Sequence, residues 1–287
     1  EVLIPAYTCF SVPSAIVRAG LEVALCDVDA SSFDFDGALL GKSINKRTLC
    51  VVPSHLFGIP SAMESITDIC RERAVFVLED AAQAMGVRRG GKMLGTIGDV
   101  GFFSLGRGKP VTCGSGGIIV TNSDAIGSAV DRELSSLPLP GKARQAREYI
   151  KVVAMNLFIR PRLYSLPAAL PFLHLGRTVF DTRFPVMRFS PMQAGLCTTW
   201  RRRLEAAVSV RREQAGMLWR ALDSARIAGD PSSAGYLRLP FMTESRERRQ
   251  RICSTAKERG LGITRMYPSP INEIPQIAHR LAGMAFP

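Results

Sequence analysis

The sequence predicts an α/β fold in which a mostly parallel sheet is flanked by helices and is followed by a smaller C-terminal α/β domain. Over the first 122 residues, short apolar runs rich in Val, Ile and Phe alternate with longer amphipathic or polar stretches. Strands joined by helical crossovers have this pattern. The 287 residues, 46% hydrophobic and 22% charged, are enough to bury one large core and a smaller attached one.

Six strands are predicted in this first region, with helices near 11–20, 61–73 and 123–135. Ligands of such sheets bind beyond the carboxyl ends of the strands, so functional side chains are expected just after them. The predicted strands are 2–6, 22–27, 49–54, 75–79, 100–104 and 117–121, and the polar residues at their ends are Thr8, His55, Asp80 and Ser104.

The later part of the chain is less regular. Prolines over about 140–190 are too frequent for one continuous helix. Helical periodicity returns over 191–222, and a strand (Tyr236–Phe241), a basic helix (Glu244–Glu258) and a Gly/Pro-rich tail are predicted after it. The expected domains are therefore a large one over 1–190, with an atypical insert at 140–190, and a small, incomplete one over 191–287.

Positive charge is concentrated in the second half. Residues 1–140 carry 12 Lys/Arg against 15 Asp/Glu, whereas residues 141–287 carry 25 against 10. A basic surface suits a nucleotide diphosphate, a nucleic acid or an acidic membrane, although it is equally the composition of a solvated helix face. Nucleic-acid binding is not expected, because the basic half lacks interleaved aromatic residues and any known motif.

The cysteines and histidines indicate neither a metal site nor a disulfide framework. Seven cysteines are scattered without a CxxC pair, and the three histidines are far apart in sequence. This usage is typical of a reducing cytoplasm. The chain opens on the strand-like Glu1–Pro5 with no basic leader, as if already inside a domain, so we expect a segment upstream of it to be missing.

Two runs carry the candidate chemistry. In Val75–Gly86, an apolar strand ends in Glu79 and Asp80 and small residues follow. In Phe103–Gly117, a strand leads to Ser104 and then to a glycine-bracketed loop that presents Lys109. Alone, a strand-ending Asp is more often a helix cap and a lysine between glycines is more often solvated. Only the joint occurrence of the two runs favours a catalytic site.

These two runs resemble the DegT/DnrJ/EryC1/StrS family of sugar aminotransferases, whose usual forms are E-D-A-A-Q-A-x-G and F-S-F-x-x-x-K-x-x-x-x-G-x-G-G. The resemblance is nearly continuous over 1–135, fainter over 191 to about 225, and returns briefly at Tyr267–Pro270. It implies the large domain of a fold type I pyridoxal-phosphate enzyme. It also implies transfer of an amino group, from glutamate, to a nucleotide-linked keto-sugar by a homodimer.

The resemblance also implies a role for each matching residue. Lys109 would carry pyridoxal phosphate as a Schiff base and move the proton at the donor Cα. Asp80 would pair with the pyridinium nitrogen, Gln83 would lie beside the ring, and Ser104 would donate a hydrogen bond to the phosphate.

Several positions depart from the family pattern. The aromatic residue that stacks on the ring falls at Cys9, so stacking passes to Tyr7 or Phe10 or is lost. Tyr7, Thr8 and Cys9 remain candidate cofactor contacts. The G-T-x-A motif and the L-G-Y-N-x-R stretch have no recognisable counterpart, although Arg188 could serve an anion there. His55 matches a family histidine, but a packing role is the commoner one.

Two alternatives to this enzyme remain at the level of sequence. A degenerate paralogue would keep the fold and act as a binding or assembly subunit, which the altered aromatic and missing motif favour and the retained Lys109 and Asp80 oppose. A sugar 3-dehydratase would usually carry His in place of the lysine.

Residues 152–180 interleave apolar side chains with Arg160, Arg162 and Arg177. An exposed apolar surface with a basic fringe fits a subunit interface or an anionic membrane surface, and core packing is the third possibility. We expect a cytoplasmic protein that has no membrane-spanning helix, since no run of 18 apolar residues exists, with peripheral membrane contact left open.

Overall fold

The structure, a computed structural model, describes residues 1–158, 178–222 and 226–281. Its centre is a six-stranded sheet with the order β2-β1-β3-β4-β7-β8, in which only the edge strand β8 runs antiparallel to its neighbour. A separate two-stranded hairpin lies between β4 and β7 in the chain. The strands are β1 Val2–Pro5, β2 Val23–Cys26, β3 Cys50–Val51, β4 Phe76–Asp80, β5 Arg88–Arg89, β6 Lys92–Met93, β7 Val100–Ser104 and β8 Gly117–Thr121.

Helices connect the strands and make up most of the regular structure after β8. The α-helices are α1 Ser11–Arg18, α2 Gly37–Ser43, α3 Met63–Glu72, α4 Asp124–Ser136, α5 Lys142–Phe158, α6 Pro191–Cys197, α7 Trp200–Ala221 and α8 Arg246–Glu258. Short 3₁₀ turns occur at Leu56–Gly58, Ile271–Glu273 and Ala278–Arg280. Several helices begin after a polar N-cap residue. At α2, the Asp36 side chain accepts hydrogen bonds from the N–H groups of Ala38 and Leu39.

Both faces of β1 are buried, as expected for a parallel strand covered by helices. Successive side chains of a strand point to opposite faces. Leu3 packs with residues of α2 and α3, including Leu40 and Met63, on one face. Val2 and Ile4 pack on the other against a cluster that draws on both α1 and the C-terminal segment; its other buried members are Phe10, Ile16, Leu25, Val52, Ile271, Ile274, Ile277 and Leu281.

The predicted mostly parallel sheet flanked by helices is confirmed, and so are the six strands and three helices of the first region, whereas the smaller C-terminal α/β domain stays a prediction. The strand predicted over Tyr236–Phe241 is wrong. Phe241 forms a single bridge with Ile227, and Tyr236 has a positive φ of 31°, which is incompatible with extended backbone. The predicted helix over 191–222 is broken into α6 and α7.

The expected domain boundary at residue 190 stays a prediction. Leu204 of α7 packs with Phe103 of β7, and Ile271 packs with β1, so the segment after 190 shares the core of the sheet. Much of the predicted apolar and basic surface at 152–180, including Arg160, Arg162 and Arg177, lies outside the described residues. Among the residues that the structure does describe, no helix is long and apolar enough to cross a membrane.

Candidate active site

The candidate site lies at the carboxyl ends of β4 and β7, two neighbouring parallel strands. Asp80 is the last residue of β4 and Ser104 the last of β7, and Asp80 is paired in register with Phe102. Because parallel strands end at the same edge of a sheet, the two predicted residues come to one side of the molecule.

Asp80 is a buried carboxylate with few hydrogen-bond donors. Its side chain accepts the Ala82 N–H at 2.9 Å and the Ser54 hydroxyl at 3.3 Å, and Thr8 donates in turn to Ser54 at 3.2 Å. Burial raises the pKa of Asp80, while the Ala82 N–H and the charge of Lys109 act to lower it. Thr8 is thus connected to Asp80 through Ser54.

Lys109 is half-buried in the loop after β7, where it experiences the field of Asp80. Burial lowers the pKa of Lys109 from its usual range, and the Asp80 carboxylate opposes this shift. The loop returns to β8 through Gly114 and Gly116, both with φ above 90°, a conformation that side chains with a Cβ rarely adopt. The side-chain amide of Gln193 in α6 donates to the Ser115 carbonyl at 3.1 Å and so holds the loop where it turns back to β8.

Gln83 is held at both ends of its amide. The Phe57 N–H donates to its carbonyl oxygen at 3.2 Å, and its nitrogen donates to the Tyr267 hydroxyl at 3.0 Å. Phe57 adopts a positive φ of 61°, a costly conformation for an aromatic residue that tends to occur at functional sites. The orientation of Gln83 is therefore set by groups that are far apart in sequence.

An aromatic cluster surrounds this amide. Tyr7 lies edge-on to Tyr267 with ring centroids 5.5 Å apart, and Phe33 lies edge-on to Phe57 at 5.2 Å. Cys9 packs against the same group of residues. Phe10 packs in the core with β1 instead, so Tyr7 is the predicted alternative aromatic that lies here, and Phe10 is not.

His55 and Glu79 form a separate buried pair. Nε2 of His55 lies 2.8 Å from Oε1 of Glu79, and both side chains are fully buried. The Ser61 N–H donates to Nδ1 of His55 at 3.0 Å, so the ring proton is on Nε2 and is donated to the carboxylate. This geometry corresponds to the packing role that is the commoner one for such a histidine.

Ser104 and Arg188 have different surroundings. The Gly106 N–H donates to the Ser104 hydroxyl at 3.2 Å, and the described residues provide no acceptor for the hydroxyl proton. Arg188 is exposed, and its backbone N–H donates to the Pro138 carbonyl at 3.0 Å.

Two contributions were missed at the level of sequence. Tyr267 lies in the short segment 267–270 where the family resemblance returns. The resemblance does not indicate that the Tyr267 hydroxyl meets Gln83. Arg211 is one of many arginines in α7, and nothing in the helix pattern sets it apart, although it reaches the Gly108 carbonyl at 3.5 Å. The described residues contain no group of three or more His, Cys, Asp or Glu side chains that could hold a metal ion.

A model of the DegT/DnrJ/EryC1/StrS aminotransferase family matches residues 1–286. This chain belongs to that family. Curated relatives include the GDP-perosamine synthase of Vibrio cholerae, 32% identical over 177 residues, and the 3-amino-5-hydroxybenzoate synthase of Amycolatopsis mediterranei, 34% identical over 120 residues. These alignments cover 62% and 42% of this chain but only 46% and 31% of the relatives, so the chain spans less than half of their length.

Solved structures share the fold at lower identity. An aminotransferase from Streptoalloteichus hindustanus matches 96% of this chain and 67% of its own with a TM-score of 0.71 at 24% identity. A putative sugar aminotransferase from Streptococcus pneumoniae, solved in its PMP form, matches 99% and 71% with a TM-score of 0.71 at 19% identity. The site residues of this chain therefore lie in a fold that accommodates PMP in the Streptococcus pneumoniae protein.

Proposed function

We propose that this protein is a pyridoxal-phosphate-dependent aminotransferase that moves an amino group, with glutamate as donor, to a nucleotide-linked keto-sugar. The observation that carries the proposal is that buried Asp80 ends β4 while half-buried Lys109 lies in the loop after the adjacent strand β7, where the Asp80 charge acts on its amine. Family membership and the names of the relatives support the choice of reaction and substrate class.

The residues present fit pyridoxal phosphate. A cationic ring nitrogen needs a carboxylate, and Asp80 is buried with only one backbone N–H donor. A phosphate needs donors, and the Ser104 hydroxyl proton is not used by the described residues. Pyridoxal phosphate supplies an aldehyde and a ring that withdraws electrons, and the protein supplies orientation and proton transfer.

Lys109 is the candidate for covalent attachment and for proton movement at the donor Cα. An amine is nucleophilic and basic only when it is neutral, and burial favours that form by lowering the pKa of Lys109. The Asp80 carboxylate limits the shift. The same lysine is therefore able to hold a proton and to release it at a lower pH than an ordinary lysine.

The remaining residues bind and orient. Asp80 would hold the proton on the ring nitrogen, and the Ser54 and Thr8 hydroxyls fix the carboxylate in place. Gln83, fixed by Phe57 and Tyr267, would lie beside the ring. Tyr7 would cover the ring where the family aromatic is replaced by Cys9, since its own ring is already held against Tyr267.

A homodimer is part of the proposal, because the family completes its site from two subunits. Helices α4 and α5 bury no residue among the described ones, and β8 exposes Ile118 and Ile119. Apolar surface of this kind is typical of a contact with another chain. Light scattering should show at least a dimer, and liposome co-sedimentation tests whether residues 152–180 bind anionic vesicles instead.

The experiment that tests the function uses full-length protein loaded with pyridoxal phosphate. Addition of glutamate should change the cofactor's visible absorbance and release 2-oxoglutarate, and a nucleotide-linked keto-sugar should restore the original spectrum. A protein that binds cofactor but gives no spectral change with any amino donor would support the second candidate, a catalytically degenerate binding or assembly subunit. Cys9 in place of the aromatic favours that candidate.

A further inference from the structure

Two arginines lie near Lys109 without a carboxylate partner in the described part of the chain. Arg211 in α7 donates to the Gly108 carbonyl at 3.5 Å, one residue before Lys109 in the loop. The backbone N–H of Arg238 bonds to the Phe57 carbonyl, next to the amide that holds Gln83. Both guanidinium groups act on Lys109 electrostatically and lower its pKa, after the larger effects of burial, Asp80 and Cys9.

Arg211 is incompletely satisfied. Its Nη1 atom is buried and has no hydrogen-bond partner among the described residues, while the one bond that Nη2 makes to them is the long bond to Gly108. A buried donor without an acceptor costs about 1–3 kcal/mol and more when it is charged, and each such group calls for an explanation such as a bound ion or ligand. Burial lowers the pKa of Arg211, and the nearby Arg238 adds to the effect.

The other arginines of α7 do not share this environment. Arg212, the next residue along the helix, is exposed. Arg203 donates to the carbonyl oxygens of Leu196 and Thr112 and so helps to hold α6 and the loop. A solvated basic face accounts for Arg212 but does not account for a buried, unpaired nitrogen at Arg211.

We propose that Arg211 and Arg238 form a binding subsite for an anionic group of the substrate, a carboxylate or phosphate oxygen, beside Lys109. Guanidinium groups suit such oxygens because their N–H donors are planar and remain charged. The site deepens the proposed function, on which it rests. Two substrate groups have this chemistry: a carboxylate of the amino donor and the diphosphate of the nucleotide sugar.

The test measures binding of probes to the full-length protein loaded with cofactor, so that the cofactor's own phosphate is already in place. Calorimetry with glutarate reports the carboxylate, because glutarate lacks an amino group, and calorimetry with uridine diphosphate reports the nucleotide. Arg211→Gln and Arg238→Gln should each weaken at least one probe by about tenfold or more. Arg212→Gln is the matched control and should leave both affinities unchanged.

The pattern across probes identifies the source of the anion. Loss of glutarate binding alone assigns the subsite to the amino donor, and loss of uridine diphosphate binding alone assigns it to the nucleotide. Since Arg238 is exposed, Arg238→Gln should fold even if Arg211→Gln does not, and circular dichroism with a thermal melt checks both.

Unchanged affinity for both probes in both variants would overturn the subsite. So would weaker retention of the cofactor without any change in probe binding, because Arg211 would then serve the cofactor phosphate. Borohydride trapping of the cofactor on Lys109 is measured in parallel. Failure of that trapping in the wild-type protein refutes the proposed function, whereas normal trapping with probe binding that is insensitive to the arginines refutes only the subsite.

Discussion

The last two residues of β4 are both buried carboxylates, yet their surroundings differ in one respect. Glu79 accepts three backbone N–H groups, from Gly95, Ile97 and Gly98, in addition to the His55 ring. Asp80 accepts one backbone N–H and one long hydroxyl bond. The two side chains point to opposite faces of the strand.

The contrast appears in their ionisation. For Glu79, burial acts to raise the pKa, but the bonds from His55 and the backbone outweigh it and the pKa is lowered. For Asp80, burial prevails and the pKa is raised. A carboxylate whose hydrogen-bond capacity is filled by the protein stabilises the fold, while one with capacity to spare is available to a ligand.

The largest effect is expected from substitution of Lys109, on whose amine the Asp80 charge acts. Lys109→Ala should abolish covalent trapping of cofactor by borohydride, because Lys109 is the amine whose charge acts on Asp80. Mass spectrometry of the reduced protein measures it. Lys92→Ala, on the exposed hairpin, is the control and should trap normally; cofactor that remains covalently bound to the Lys109→Ala variant would contradict the assignment.

Asp80→Asn should reduce turnover by two or more orders of magnitude while cofactor still binds. The carboxylate is proposed to stabilise charge that is larger in the transition state than in the ground state. The melting temperature without cofactor should not fall, since the folded state disfavours this charge, as its raised pKa shows. Steady-state kinetics and a thermal melt test both, and near-normal turnover would remove Asp80 from the mechanism.

Glu79→Gln should have the opposite profile, with a loss of about 3 kcal/mol in the free energy of unfolding and a much smaller effect on turnover per folded molecule. The NH₂ group of the introduced glutamine would face backbone N–H groups that donate to a carboxylate oxygen in the wild type. Urea unfolding beside Asp80→Asn provides the comparison. Equal stability of the two variants would show that the different hydrogen bonding of Glu79 and Asp80 does not affect the free energy of unfolding.

The stabilisation by Glu79 should also depend on pH. Its pKa is lower in the folded state than the ordinary value of 4.5, so its contribution is present above pH 4.5 and is lost as the pH falls through the folded pKa. The difference in stability between wild type and Glu79→Gln should therefore shrink below pH 4.5. A difference that is constant from pH 7 to pH 3 would argue against an ionised Glu79.

The smallest effect concerns the titration of Lys109. The rate of cofactor attachment should rise with pH with a midpoint below the ordinary lysine value of 10.5, because burial lowers the pKa of Lys109. In Asp80→Asn the midpoint should move lower still, since the carboxylate acts to raise that pKa. An unchanged midpoint would show that the two groups are not coupled in solution.

The strand pattern placed Asp80 and Ser104 at strand ends and Lys109 in the loop that follows, and the structure has them there, but their proposed roles came from the family resemblance and not from the local pattern. It did not distinguish Glu79 from Asp80 in role, since the donors at 95–98 reach Glu79 through a hairpin that no periodicity predicts. Tyr267 and Arg211 meet the site only through tertiary packing. The strand predicted over Tyr236–Phe241 is wrong because the backbone of Tyr236 has a positive φ and turns instead.

The packing of β1 has a consequence for how the chain reaches its native state. Val2 and Ile4 pack with Ile271, Ile274 and Ile277, so contacts on this face of β1 join segments that are very distant in sequence. Closing such long loops is slow, because their entropy is lost before the contacts form. Folding should therefore be slow and should leave the apolar face of β1 open to association in its intermediates until the C-terminal segment docks.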